Sequence, residues 1–258
     1  MQERRRQVLS QLIAREVRSR FEGSGSGWLW LILTPLLLLA VYSFVFGVIF
    51  KARVPPGLDI PFVAWLAAAL WPWLMFSEGV LRGAQAIRNH AALIAKVALT
   101  RELLVLAAVS AVFILHLAGY IAVVVVLVLI GVELHWPAFP RLLLALTTLY
   151  ILTSGMALAL SAIQVYVRDL EQALPTVFML WFFLTPILYA PSLLPEQYAG
   201  LLDFNPLTWW MNEIRSALLH GESMPSWPAL ALAGGSLAVL WLGRSIFRRL
   251  SPYFEDFL

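Results

Sequence analysis

The 258-residue chain contains no cysteine, which excludes disulfides and thiol chemistry without fixing a compartment. It has no His-Glu-x-x-His run and no paired ligand residues, so no metal site is implied. A glycine-rich phosphate loop ending in Lys-Ser/Thr is missing, so the chain is not expected to bind ATP alone. Without a Gly-x-Ser-x-Gly elbow or any other catalytic constellation, no catalytic residue is assigned. Charge is also scarce, at 13% of residues, and Glu78 is the one acid within the long apolar stretches, near the end of its own. Proton- or sodium-driven carriers place charged groups near the membrane midplane. Their scarcity points to an outside source of energy, or to a protein that pumps nothing. No nucleic-acid motif or aromatic-interleaved basic face occurs, so nucleic acid is not an expected partner.

What the chain does have is apolar length. Hydrophobic residues make up 61% of it, and the mean hydropathy is +0.82. Six apolar stretches run over 28–50, 60–80, 103–132, 142–165, 173–190 and 227–243. A helix needs roughly 20 apolar residues to cross the hydrocarbon, and each backbone amide must be satisfied within it. The pattern predicts an all-α membrane protein of six transmembrane helices forming one domain over 1–258. Of the 18 Lys and Arg residues, fourteen fall in the N-terminal segment, in the connections 82–101 and 166–172 and in the C-terminal segment, and four in the other connections. The positive-inside rule then puts both termini in the cytoplasm, with a basic belt suited to anionic membrane lipids. Residues 1–20 carry six arginines and no uninterrupted apolar core, so they are not expected to be a cleavable signal.

Residues 4–21 read as an interfacial amphipathic helix, with Val8, Leu9, Leu12, Ile13, Val17 and Phe21 at helical spacing, although a solvated tail is the plainer alternative. Gly23-Ser24-Gly25-Ser26-Gly27 breaks it before Trp28 and Trp30, which suit an interfacial aromatic belt. The stretch 82–100, with Ile87, Leu93, Ile94 and Val97, fits a surface helix that either docks a partner or merely connects spans. Gly79 and Gly83 are a single small-xxx-small pair and a weak sign of close helix approach. His116 is a lone in-span histidine with no acidic partner evident, and reads as a helix–helix hydrogen bond before a functional site. Phe178, Phe182, Thr185 and Tyr189 share one helical face. The 207–219 stretch is helical in spacing yet too short to cross. It either dips into the membrane or lies along its outer face, placing Glu213 and Arg215 at an outer mouth.

These motifs, taken in order, resemble those of the membrane subunit (permease) of type-2 ABC exporters, in the branch that exports polysaccharides such as O-antigen, teichoic acid or capsule. Arg20, Gly23, Ser24, Gly27, Trp30 and Pro35 resemble the family's entry into the first span. Asn89, Leu93, Ile94, Lys96, Arg101 and Glu102 match its cytoplasmic loop. Arg168-Asp169-Leu170, Thr185-Pro186-Ile187-Leu188-Tyr189, Asn205-Pro206-Leu207-Thr208, Arg215 and Gly221 follow at family spacing. The chain departs at Phe21, where the family has tyrosine, and at Thr100 and Val105, where it often has proline.

The resemblance implies a homodimer in the bacterial inner membrane with two copies of a separate ABC ATPase, which would carry the ATP and magnesium. No cofactor is expected on this chain. It further implies a coupling helix over 82–100 using Arg88, Asn89, Leu93, Ile94, Lys96, Arg101 and Glu102, and gate helices over 192–222 holding Asn205, Pro206, Trp209, Glu213 and Arg215. A lipid-linked polysaccharide would enter past Arg20 and Arg88 and travel along aromatic surface at Tyr42, Phe46, Phe182, Thr185 and Tyr189. The competing readings are a type-2 exporter of drugs or another lipid, a secondary carrier and a membrane scaffold.

Overall fold

A computed structural model describes residues 2–22, 25–52, 54–55, 59–94, 100–220 and 227–257. Among them every regular element is helical. Lys96, Val97 and Gly221, together with Gly23 and Ser24 of the hinge, lie outside the described residues. Helix α1 (Gln2–Ser19) is followed by α2 (Gly27–Tyr42), which continues as a π-helix over Ser43–Ile49. Next come α3 (Phe62–Asn89), the single turn α4 (Ala91–Ile94), α5 (Glu102–Leu129), α6 (Phe139–Tyr166) and α7 (Leu170–Leu184). Two short helices, α8 (Glu196–Asp203) and α9 (Pro206–Arg215), precede α10 (Trp227–Leu250). Among the described residues five stretches are long and apolar enough to cross a membrane: Leu29–Ile49, Phe62–Asn89, Glu102–Leu129, Trp136–Tyr166 and Trp227–Glu255. The chain is an all-α membrane protein.

The fifth expected span, 173–190, differs. Helix α7 has 15 residues and stops at Leu184. The cause is local: Pro186 forces the residue before it out of helical geometry, and Thr185 is extended at φ −97° and ψ 132°. The expected separate helix over 82–100 also differs. Through Asn89 it is the last turns of α3, which run without a break past the predicted end at residue 80. The last span is likewise longer than 227–243, since helix persists to Leu250.

Helix α3 is the hub, and it is buried along most of its length between α5 and α6. Its alanine run from Ala67 to Ala69 and the rings of Trp65, Trp71 and Phe76 are all enclosed. Pro72 lacks an N–H and so leaves the Ala68 carbonyl without its helical donor; the Tyr120 hydroxyl of α5 donates to that oxygen at 3.5 Å. Small residues set how closely the helices pack. A Cβ on Gly79 would meet Thr153 Cγ2 at 2.7 Å, and one on Gly83 would meet Ala157 Cβ at 2.6 Å. The weak Gly79/Gly83 signal therefore marks the α3–α6 crossing. Helices α6 and α10 come closer still: a Cβ on Gly155 would sit 2.6 Å from the Leu240 amide nitrogen. Backbone meets backbone there, as small residues permit between membrane helices.

In contrast, α2 and α7 are poorly covered. Among the described large apolar side chains of the α2 stretch only Leu39 is buried, while Trp30, Leu37, Val41, Phe44 and Val48 are exposed. Helix α7 packs a narrow stripe, Leu174, Phe178 and Trp181, on α3 and leaves Val177, Leu180, Phe183 and Leu184 exposed.

Candidate functional site

Three clusters carry the polar chemistry of the chain. The first sits where the α1–α2 hinge meets α3 and α5. Glu78 accepts from Arg20 Nη2 at 2.6 Å and Arg82 Nε at 2.9 Å, and its second oxygen lies 2.6 Å from His116 Nε2. The expectation that His116 has no acidic partner is therefore corrected. Glu78 lies on the neighbouring helix, a pairing that spacing within one span does not reveal. The cluster closes one end of a cavity of about 450 Å³ whose other walls include Trp30, Leu31, Pro35 and Trp71. Arg20, expected at a cytoplasmic entrance, lines this cavity and is held to α3 by its ion pair.

The second cluster gathers the two chain ends and the start of α5. Glu102 is buried and accepts from Arg248 Nε at 2.8 Å, Arg244 Nε at 3.2 Å and Arg5 Nη2 at 3.4 Å. Arg101 donates to the Ser251 carbonyl and the Glu255 carboxylate, and its guanidinium lies 5.9 Å from the Phe254 ring centre. Arg101 and Glu102, expected to engage a partner protein, are thus spent inside the chain. They tie α1, α5 and α10 together and bring both termini to one end of the bundle. The remaining described residues of the expected coupling element sit differently. Asn89 is exposed, Leu93 half-buried and Ile94 buried, around a corner between α3 and α4. Arg88 Nη1 pairs with Glu171 Oε2 at 2.5 Å, which fastens that corner to α7. His90 sits at the corner itself, donating from Nδ1 to the Ala86 carbonyl at 2.9 Å with Nε2 3.2 Å from Glu16 of α1. The Glu16 carboxylate holds the imidazole above its ordinary pKa, and His90 in turn holds Glu16 below the usual carboxylate value.

The third cluster is the segment between α7 and α9. Asn205 caps α9, its Oδ1 accepting from the Leu207 amide at 3.1 Å and from Trp181 Nε1 at 2.9 Å. Its Nδ2 donates to the Leu184 carbonyl at 3.2 Å and to Thr185 Oγ1 at 2.9 Å. One side chain therefore finishes α7 and starts α9, and Pro206 occupies the first helical position, where a missing N–H costs nothing.

Ten residues on, Arg215 is 3% exposed. It donates to the carbonyls of Trp65 at 3.1 Å, Pro186 at 2.8 Å and Ile187 at 3.1 Å, while its guanidinium carbon lies 3.4 Å from the centre of a Trp65 ring. Glu213 is also buried, and its Oε2 accepts from Arg141 Nη2 at 2.7 Å. The placement of Glu213 and Arg215 at an open mouth is thus corrected, because both are enclosed. They fasten α9 to α6, to α3 and to the broken end of α7. Trp209, by comparison, is largely exposed, while Trp210 donates to Thr148 Oγ1 at 3.2 Å.

The expected aromatic path is also rearranged. Phe178 is buried, Thr185 is wholly buried with its hydroxyl donating to the Trp181 carbonyl at 2.8 Å, and the Phe182 ring lies tilted against Trp73 with centroids 5.7 Å apart. The reason is that Trp73 and Phe76 of α3 give this face aromatic partners within the same chain, at favourable centroid separations. Tyr189 is half-buried and its hydroxyl donates to the Phe183 carbonyl at 3.2 Å. Tyr42 and Phe46 stack at 6.0 Å and remain half-exposed.

The chain is similar to polysaccharide-export proteins over almost its whole length. It is 31% identical over 256 residues, 97% of its length and 95% of the relative's, to the O-antigen export system permease protein RfbA of Myxococcus xanthus. The RfbA permease of Klebsiella pneumoniae is 26% identical over 246 residues, covering 95% of this chain and 92% of that one. The polysialic acid transport protein KpsM of Escherichia coli is 26% identical over 237 residues, covering 92% and 91%. Residues 7–219 match the model of the ABC-2 type transporter membrane family, and the chain belongs to that family.

Proposed function

We propose that the chain is the membrane-spanning subunit of an ATP-driven exporter that moves a lipid-linked polysaccharide out of the cytoplasm. The observation that carries this reading is the end-to-end similarity to relatives whose names specify O-antigen export and polysialic acid transport. Two copies face each other through α2 and α7, which leave most of their apolar side chains exposed. A large polymer is rich in hydroxyls and apolar C–H faces. It slides along Phe44, Val48, Phe183 and Leu184, with Tyr42, Phe46 and Tyr189 at the margins, without a deep pocket to trap it. The chain sits in the bacterial inner membrane, and the arginine bias supports cytoplasmic termini.

Energy comes from two copies of a separate ATPase, which binds ATP and magnesium and presses on the α3–α4 corner around Asn89 and Leu93. Arg88–Glu171 transmits that push to α7, and Asn205 carries it on to α9. Such coupling requires a rigid element with two arrangements, and α3 is the rigid lever that reaches both ends. In this scheme Pro206 and Trp209 cap the outer exit, while Asn205, Glu213 and Arg215 hold the outer helices in place.

Gene disruption tests the reading. Loss of surface polysaccharide with accumulation of the lipid-linked polymer inside the cell is the expected outcome, restored by the intact gene and not by one encoding Asn89→Trp. Unaltered surface glycan together with changed drug resistance overturns the polysaccharide assignment. Purification of the chain without any ATPase overturns the energy source.

A further inference from the structure

A cleft of about 500 Å³ opens between α1, α5, α6 and α10, remote from the hinge cavity. Its rim carries Arg5, Arg6 and Arg244, and its floor is built from Leu103, Ile151, Leu158 and Leu240. The rim is cationic in excess. Glu102 is the only carboxylate among the described lining residues, and it is shared among Arg5, Arg244 and Arg248. Arg6 is exposed and has no ion-pair partner among the described residues. Ser154, also in the lining, is 2% exposed, and its hydroxyl has no hydrogen-bond partner among the described residues. The Tyr150 hydroxyl beside it is already engaged with Ser110 at 2.8 Å.

We propose that this cleft holds one anionic glycerophospholipid. Its phosphate rests between Arg6 and the outer faces of Arg5 and Arg244, one ester carbonyl accepts from Ser154, and the start of an acyl chain lies on the Leu158–Leu240 floor. The match is one of charge and depth. Basic pockets between membrane helices on the basic side of the bilayer suit anionic head groups, and the volume falls within that of ordinary ligand pockets. A soluble phosphate would find the arginines but leave the apolar floor wet. A zwitterionic lipid would fill the floor but bring its own cation against the rim. The lipid-linked substrate is disfavoured because no residue of α2 or α7 lines the cleft. The bound lipid would cement α1 to α10, completing by its phosphate the clasp that Glu102 makes alone.

Native mass spectrometry of the purified protein, titrated separately with phosphatidylglycerol and phosphatidylethanolamine, tests this. One phosphatidylglycerol per chain should survive activation, with phosphatidylethanolamine retained at least tenfold less. Arg6→Gln, on an exposed helix face where folding is not at risk, should weaken retention about fivefold, as expected for one interfacial arginine. Ser154→Ala should weaken it further, and Leu106→Trp, which fills the cleft from its wall, should abolish it. Equal retention of both lipids overturns the proposal, as does retention unmoved by Arg6→Gln. Displacement of phosphatidylglycerol by a polyprenyl diphosphate at equal concentration would reassign the cleft to substrate and overturn it too.

Discussion

Replacing Arg215 with methionine tests what holds the outer end of the molecule together. The guanidinium bridges three carbonyls on two segments, Trp65 in α3 and Pro186 and Ile187 after α7. Neither Pro186 nor Ile187 lies in a helix that would supply its carbonyl with a donor. Methionine fills much of the space but donates nothing. Each carbonyl left unpaired costs about 1–3 kcal/mol, and loss of the cation over Trp65 adds about 2 kcal/mol where it is desolvated. Removing a buried charge returns part of this, so the net loss should be about 4–6 kcal/mol. For a chain of this length, that lowers the thermal midpoint by about 10–20 °C. The assay is thermal unfolding of the detergent-purified protein, read alongside protease sensitivity of the 185–190 segment. Arg215→Lys is the informative companion, since an ammonium keeps the charge but cannot fork to three acceptors; it should recover less than half of the loss. A methionine variant that melts within about 3 °C of the parent would refute the bridge, as would a lysine variant that behaves like the parent.

Two further outcomes follow from the packing and from the corner at His90. Gly155→Leu should abolish the monodisperse protein peak in detergent, because α10 backbone occupies the space its side chain needs, whereas Gly234→Ala, with nothing within 4 Å, should be silent. The Glu16–His90 contact should make the α1–α3 spacing pH-dependent. The part due to His90 is complete below about 6.5, the ordinary histidine value, and is lost as pH rises through the raised value. The part due to Glu16 is present above its ordinary 4.5 and lost as pH falls through its lowered value. Arg15 and Arg82 act on the same pair, both favouring the Glu16 carboxylate, and Arg15 also opposes the charge on His90. Spin labels on α1 and α3 should therefore separate at alkaline pH, and His90→Gln should remove that limb. An alkaline limb that persists in the variant points elsewhere.

Much of the fold was legible because bilayer crossing imposes a length that apolar runs display openly. Helices α3, α5 and α6 start within a few residues of the expected positions, α9 begins at Asn205-Pro206 beside the 207–219 stretch of helical spacing, and the pair α8 and α9 falls within the 192–222 segment that the resemblance implied. The end of α7 was misjudged because an apolar count runs straight through Thr185, whereas Pro186 acts on backbone geometry. Side-chain roles were less legible for a different reason. Arg101, Glu102, Glu213 and Arg215 are charged residues at helix ends, and linear position cannot distinguish one facing a partner from one clasping a helix far away in the chain. Glu78 and His116 lie 38 residues apart and meet only because α3 and α5 pack side by side. Gly155 and Gly243 carried no signal at all, since each needs the other to have meaning.

The brevity of α7 has a consequence for the surrounding lipid. At about 1.5 Å per residue, its 15 residues span some 22 Å, against a hydrocarbon slab of about 30 Å. Irregular backbone at such depth survives only when shielded by protein, and Asn205 and Arg215 provide that shield on the inward side. On the outward side the leaflet must sag to meet Leu184. A dimple of that kind would shorten the journey of any amphiphile crossing beside it and would favour short-chain lipids around α7.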